Sequence, residues 1–206
     1  MPLARRSLKS KRQRRSPGVV RTAAVEAARK LLVRAGPEAI TLPAVAKELG
    51  MTHGNVTHHF GSVGALHACL VDQIAQELTV RVTTAVAQLR ADAADPVKVV
   101  DALFEAFSDN AAGRLISWLA STGDMEALEP LFIAVENIVH ELSRGEPRPG
   151  ENRELSVRQN ALMLISTALG NALVGERLHA AVGLPLGSLN ALSAKDLVRR
   201  AYPAKK

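Results

Sequence analysis

A glycine followed by a short polar stretch, Gly50 to Phe60, constrains the fold of this chain more than any other segment. Gly50 tolerates the positive φ that ends a helix, and Thr52 can cap the next helix by accepting a backbone N–H. That next helix is too short to be stable alone, and it carries His, Asn and Thr but no acid. A short polar helix held against a second helix is how a helix-turn-helix enters the major groove of DNA. The segment therefore predicts a helix-turn-helix.

Two further helices are predicted in front of this segment. Ser16–Pro17 supplies a capping residue and a first-turn proline, and the helix that follows runs to about Ala35. Thr41 can cap the second helix. The apolar stripe of the first helix consists of Val20, Ala24, Ala27, Ala28, Leu31 and Leu32. Val56 and Phe60 are four residues apart, so they would anchor the third helix on the other two.

Residues 20–66 closely resemble the DNA-binding domain of TetR/AcrR-type bacterial transcription regulators. The resemblance is carried without a gap by Ala27–Gly36, Ile40–Ala46, Leu49–Ser62 and Ala65–Leu66. It implies an all-α protein with a basic flexible arm at residues 1–16 and a three-helix helix-turn-helix DNA-binding domain at 17–64. Residues 65–206 would then form a C-terminal helical domain for ligand binding and dimerisation.

The resemblance also assigns DNA contacts, placing His53 and Asn55 at base-edge positions and His59 at a phosphate-facing one. An asparagine can pair with the N6 and N7 edge of adenine, and Gly54 lets the backbone approach DNA closely. The alternative for His58 and His59 is that they are merely exposed polar residues. The candidate DNA-binding residues are Arg12, Arg14, Arg15, Thr41, Thr52, His53, Gly54, Asn55, Thr57, His58 and His59.

The chain departs from the family pattern at two places that commonly touch phosphates. Thr57 stands where the family usually has Tyr, and Val63–Gly64 stands where it usually has Lys-Glu. Both departures remove contacts to the DNA backbone. We expect the basic arm to offset them.

Charge is unevenly distributed along the chain, whose net charge is +6. Residues 1–60 hold twelve Lys and Arg against three acids, whereas residues 61–206 hold fourteen against seventeen. A basic N-terminal third on a mildly acidic remainder is typical of a part that binds a polyanion. The first residues would lie along DNA, with Arg side chains in the minor groove. The alternatives are a solvated tail and an organellar transit peptide.

The composition favours an all-helical protein in the cytoplasm. The chain is rich in Ala and Leu and poor in aromatic and consecutive β-branched residues. Its single cysteine, Cys69, excludes an intramolecular disulfide and fits a reducing compartment. No secretory signal is apparent. The most apolar run, Ala161 to Gly175, is shorter than a membrane span requires, so no membrane association is predicted.

Large apolar residues after residue 100 are candidates for a ligand pocket between helices. They have a second interpretation as ordinary core, because both roles require apolar stripes. The candidate ligand-binding residues are Phe104, Phe107, Trp118, Met125, Phe132, Asn160 and Met163. Since few charged residues fall on the apolar stripes, the unknown effector is expected to be an apolar and largely neutral small molecule.

The segment from Leu155 to Val182 is predicted to be a long helix that is apolar on more than one face, which indicates deep burial or packing on two partners. With the helix at Leu131–Leu142 it would form a four-helix homodimer interface, as the resemblance implies. The candidate dimer-interface residues are Leu162, Ile165, Leu169 and Leu173. In a two-fold dimer the two DNA-binding domains would enter successive major grooves, about 34–36 Å apart or a multiple of that, and the operator would have to be palindromic.

No pattern for catalysis, a metal or a cofactor emerges. Four histidines lie at positions 53, 58, 59 and 67, but neighbouring residues on a helix point about 100° apart and do not converge. There is no GxSxG, P-loop or GxGxxG sequence. The chain is therefore predicted to be a ligand-responsive repressor of transcription, since most family members repress. The alternatives are a DNA-binding activator or protein-partner scaffold without small-molecule control and, further away, an enzyme or ligand carrier.

Overall fold

The computed structural model describes residues 16–90, 96–144 and 153–201. In that part the fold is helical throughout, which confirms the prediction of an all-α protein. The helices are α1 Pro17–Ala35, α2 Leu42–Glu48, α3 His53–Phe60, α4 Val63–Arg90, α5 Pro96–Ser108, α6 Ala112–Thr122, α7 Glu129–Ser143, α8 Arg153–Val182 and α9 Ser188–Ala201. Short 3-10 turns occupy Pro37–Ala39, Asp109–Ala111 and Glu126–Leu128. The basic arm and most of the loop predicted at 143–152 lie outside the described residues.

Helices α1 to α3, here called the head (residues 16–61), begin and end near residues that the sequence marks, but the predicted cap by Ser16 is wrong, because its side chain makes no capping hydrogen bond. Gly36 follows α1 with φ 89°, and its N–H donates to the Leu32 carbonyl at 3.0 Å. Thr41 caps α2, because its hydroxyl oxygen accepts the Ala44 N–H at 3.2 Å. Gly50 has φ 62°, as predicted for the turn between α2 and α3.

The predicted side-chain cap by Thr52 is wrong. Thr52 is the residue before α3, but its side chain makes no capping hydrogen bond. The first turn is closed through the backbone instead, with the Asn55 N–H donating to the Thr52 carbonyl at 3.1 Å. Thr52 is also exposed. Helix α3 has a weaker N-terminal anchor than α2.

The remainder, here called the body (residues 63–201), packs around α4 and α5. Helix α4 lies against α5 and α7, and α5 also lies against α8 and α9. The serine before α4, Ser62, caps it by accepting the Ala65 N–H at 3.1 Å, so the helix begins two residues before the predicted start at Ala65. Buried apolar residues of head and body form one continuous cluster, from Ala24 in α1 to Ala194 in α9.

Helix α8 is buried on one face only in the isolated chain. Leu164, Ala168 and Gly175 face the body and are buried. On the other side, Leu162 is 72% exposed and Leu173 is 45% exposed. The small residues that the sequence places in α8 permit one close approach, because a Cβ at Gly113 in α6 would lie 2.8 Å from the Ala172 Cβ. An apolar helix thus has one packed face and one open face.

We predict that Gly36→Ala lowers the free energy of unfolding by about 1–3 kcal/mol, the range for a side chain forced into a glycine-only region of φ and ψ. Gly36 has φ 89° and ψ 173°, and an added Cβ would lie 3.1 Å from Arg114 Nη2 and 3.2 Å from Glu38 Oε2. Urea unfolding measures the change. The matched control is Gly18→Ala in α1, where a Cβ meets nothing within 4 Å. Equal stability of the Gly36 variant and wild type would contradict the prediction.

Candidate DNA-recognition surface

The exposure of α3 divides the helix into an inward and an outward face. Val56 and Phe60 are buried, as their four-residue spacing predicted. The other side is open to solvent, and its exposed residues are His53, Gly54, Asn55 and His58. Thr57 and His59 are half-buried. The structure thus leaves the predicted base-contacting residues, His53 and Asn55, exposed on the head.

Thr57 holds the first histidine of α3 in place. Its hydroxyl donates to the His53 carbonyl at 3.0 Å and lies 3.2 Å from His53 Nε2. Thr57 thus engages its own helix, and it is shorter than the Tyr that the family usually carries there. The rings of His58 and His59 meet edge to face, with centroids 5.8 Å apart. The side chains of α3 outside its buried face are therefore His, Asn and Thr, and the helix contains no Lys or Arg.

Sequence reasoning missed one residue at this surface, Arg21 of α1. Its Nη1 donates to the His59 carbonyl at 2.6 Å and its Nη2 to Cys69 Sγ at 2.9 Å. The guanidinium carbon lies 4.8 Å from the centre of the Phe60 ring. The partners are 38 and 48 residues away along the chain, so no local sequence pattern signals the contact.

Two of the other predicted DNA-binding positions flank α3. Thr41 and Thr52 are exposed at the starts of α2 and α3. The hydroxyl oxygen of Thr41 accepts the capping hydrogen bond of α2, whereas the Thr52 side chain makes no capping hydrogen bond. The arm residues Arg12, Arg14 and Arg15 lie outside the described residues. Arm and helix therefore remain separate predictions about DNA contact.

Ion pairs connect the helices of the head to each other and to the body. Arg34 of α1 donates to Glu48 of α2 at 2.5 Å, and this hydrogen bond, with the charge of Arg34, holds the pKa of the Glu48 carboxyl below its usual value. Arg29 of α1 makes a bidentate pair with Glu77 of α4, at 2.8 and 2.9 Å. A bidentate pair of this kind fixes the relative orientation of the two side chains as well as their distance.

A buried histidine joins the head to two parts of the body. His67 of α4 has its Nε2 3.4 Å from the Ile40 carbonyl, in the connection before α2. Its Nδ1 lies 3.7 Å from the Asp124 carboxylate, and its ring meets Trp118 of α6 edge-on at 5.5 Å. The position of the head therefore depends directly on α6 and on the connection that follows it.

The match to known proteins agrees with this geometry. Residues 24–68 fit the family model described as bacterial regulatory proteins, tetR family. The chain is 30% identical over 155 residues to the HTH-type transcriptional regulator BetI of Stenotrophomonas maltophilia (strain R551-3), which spans 68% of this chain and 74% of that protein. The chain belongs to the TetR family. It is a DNA-binding regulator of transcription, and its relatives are regulators rather than enzymes.

Solved structures show the same fold over nearly the whole TetR-family chain. The multidrug binding protein EbrR complexed with imidazole superposes with a TM-score of 0.65 at 20% identity, covering 90% of this chain and 96% of that one. A transcriptional regulator from Rhodococcus sp. Rha1 gives a TM-score of 0.60 at 18% identity, covering 90% and 97%. The similarity therefore extends through the body, where sequences diverge.

The predicted ligand-binding residues of this TetR-family chain fall into different environments. Phe104 and Phe107 are buried in the core, Trp118 packs beside His67, and Met163 is half-buried. Met125 and Phe132 are exposed, at 49% and 46%. Asn160 is half-buried, and its Oδ1 is enclosed without a hydrogen-bond partner. The seven residues do not share one environment, and the pocket stays a prediction.

A small recess lies between α1 of the head and the body, with a volume of about 10 Å³, which is about the room that one water needs. The residues that line it are Arg29, Ile74, Glu77, Leu78, Arg81, Ala106, Asp109 and Ala112. None of the predicted ligand-binding residues is among them. Within the described residues, no three His, Cys, Asp or Glu side chains are placed to hold a metal ion. None of the described helices is long and apolar enough to cross a membrane.

The predicted dimer residues of the TetR-family chain lie along one side of α8. Leu162 and Leu173 are exposed, whereas Ile165 and Leu169 are half-buried against the core. The neighbouring α7 adds exposed Ile133, at 50%. Exposed apolar strips of this kind are typical of protein–protein interfaces, and the dimer role of these residues stays a prediction.

Proposed function

We propose that this TetR-family protein is a homodimeric repressor that binds a palindromic operator in the cytoplasm and releases it when a small apolar molecule binds the body. The observation that carries the DNA-binding surface is the outward face of α3, where His53, Gly54 and Asn55 are exposed above the buried Val56 and Phe60. The open apolar side of α8 supports the two-fold partner.

The proposed release is a shift between two states of the dimer. A ligand shifts such an equilibrium only through its different affinity for the two states. His67 supports a route for the shift, because it contacts Trp118 of α6 and the Ile40 carbonyl of the head. A ligand that displaces α6 would then move the connection before α2 and change the separation of the two heads.

The test of DNA recognition is Asn55→Ala, assayed on sites selected by the wild-type protein from random-sequence DNA. We expect lost discrimination at one base position in each half-site, by about 1–3 kcal/mol, because an amide that pairs with one base edge specifies that base. The control is Gln88→Ala, which removes an exposed amide side chain from α4 of the body. Uniform weakening on every DNA sequence would argue that Asn55 does not contact a base.

A regulator without small-molecule control is the second candidate, because the predicted ligand-binding residues do not share one environment: Phe104 is buried, whereas Phe132 is exposed. The two functions are separated by measuring operator release with a panel of neutral apolar compounds and, in parallel, of polyanionic metabolites. Release by apolar compounds supports the repressor proposal. Release only by polyanions would overturn the apolar effector, and no release by either panel would favour the second candidate.

A further inference from the structure

Arg21 of α1 contacts both α3 and α4 at the edge of the DNA-recognition surface. One guanidinium nitrogen donates to the last-turn carbonyl of His59 at 2.6 Å, and the other donates to Cys69 Sγ at 2.9 Å. Its carbon lies 4.8 Å from the centre of the Phe60 ring. Arg21 is itself exposed, and within the described residues it makes no ion pair with a carboxylate.

Helix α3 depends on this contact because its own ends are weakly held. At its start, Thr52 provides no side-chain cap. At its end, the last four carbonyls have no partner within the helix. The Gly61 N–H, just after the helix, donates to the Thr57 carbonyl at 2.7 Å. Arg21 supplies a donor for the His59 carbonyl and a positive charge at the C-terminus of the helix dipole, where a cation is stabilising.

The chemistry of arginine suits this position. A guanidinium presents its donors in a rigid planar fork and can stack on an aromatic ring while it donates to two acceptors. Lysine offers a compact ammonium that cannot do all three at once. Arg21 therefore fixes both the distance of α3 from α4 and its rotation about the Phe60 anchor.

We propose that Arg21 is a positioning residue for DNA recognition. It holds α3 so that His53 and Asn55 meet base edges in register, and it does so from the protein side, without contacting DNA. The inference rests on the proposed role of α3 in recognition and names a residue that this role depends on. Because base contacts need accurate placement whereas non-specific binding does not, losing Arg21 should reduce discrimination more than overall affinity.

The test uses the full-length protein and two DNA fragments of equal length, one carrying the site that the wild type selects from random sequence and one with that site scrambled. Affinity for both is measured over a range of salt concentrations. For Arg21→Met, which keeps an apolar stem but no donor or charge, we expect the ratio of specific to scrambled affinity to fall about tenfold. The slope of log affinity against log salt should stay within about half a unit of wild type, since no phosphate contact is lost.

Two further variants sharpen the result. Arg34→Met removes the same charge from the same helix but loses only the contact to Glu48 of α2, and it should leave the ratio within about twofold of wild type. Arg21→Lys keeps the charge, so we expect the wild-type salt slope. The ratio of specific to scrambled affinity should still fall nearly as far as in Arg21→Met.

Three outcomes would overturn the proposal. A slope lowered by about 0.9 with an unchanged ratio would make Arg21 a phosphate contact. A lower unfolding free energy with an unchanged ratio would make its role structural only, and full recovery by Arg21→Lys would show that the charge alone matters.

If the wild type itself did not distinguish the two fragments, the proposed recognition by α3 would fail, which is a different result from wild-type discrimination that survives the loss of Arg21.

Discussion

Replacing Leu162 and Leu173 together by Glu converts the protein to a monomer and lowers operator affinity by about a thousandfold or more. Both residues lie on the open side of α8, 72% and 45% exposed in the single chain. In the proposed dimer they are covered, and a buried carboxylate without a partner is costly. A monomer engages one half-site, so it loses the second set of contacts that a two-fold dimer makes at no further cost in association entropy.

Sedimentation at micromolar concentration and operator binding measure the two effects together. The matched control is Leu186→Glu, which changes a leucine that is also 72% exposed but lies between α8 and α9, outside the two helices of the proposed interface. We expect this control to remain a dimer with wild-type affinity. If the double variant sedimented as a dimer, α8 would not be the interface, and if the wild type were already a monomer, the dimer proposal would fall.

Phe60→Ala lowers the free energy of unfolding by about 3–5 kcal/mol, the usual cost of removing a buried aromatic side chain. Phe60 is buried at the end of α3 and belongs to the core cluster shared by head and body. Its ring also lies under the Arg21 guanidinium, a contact that contributes about 0.5–1 kcal/mol at exposed sites. The variant therefore loses packing on one face of the ring and a cation on the other.

Urea unfolding followed by far-UV circular dichroism measures this cost. Phe60→Leu is the matched variant, because leucine keeps most of the apolar volume but not the aromatic face, and we expect it to cost less than half as much. A loss below about 1 kcal/mol for Phe60→Ala would show that the head tolerates a cavity at its anchor. It would also show that Phe60 does not hold α3 against α1 and α4.

Much of the head could be predicted from sequence because its determinants are local. Helix ends at Gly36, Thr41 and Gly50 follow from backbone conformation and capping, which need only neighbouring residues. The outward face of α3 followed from the spacing of Val56 and Phe60. The cap by Thr52 failed because the residue type permits a cap without requiring it.

The contacts that could not be predicted from the sequence join residues that lie far apart along the chain. Arg21 meets Cys69 across 48 positions, and His67 meets Ile40 across 27. The body shows the same limit, since apolar periodicity is equal for a core residue such as Phe104 and for an exposed one such as Phe132. Periodicity predicts a helix and its apolar side, but not which neighbour covers that side.

The single core that runs from Ala24 to Ala194 bears on how such a regulator can be rebuilt. A chimera that joins this body to the head of a relative would inherit a foreign surface against His67 and Trp118, which contact each other edge-on. The foreign head would also need a cation at the position of Arg29 in α1 to pair with Glu77 of this body. New operator specificity is therefore better introduced on the exposed side of α3 than by exchanging whole heads, because the joint between head and body is a fitted surface and not a linker.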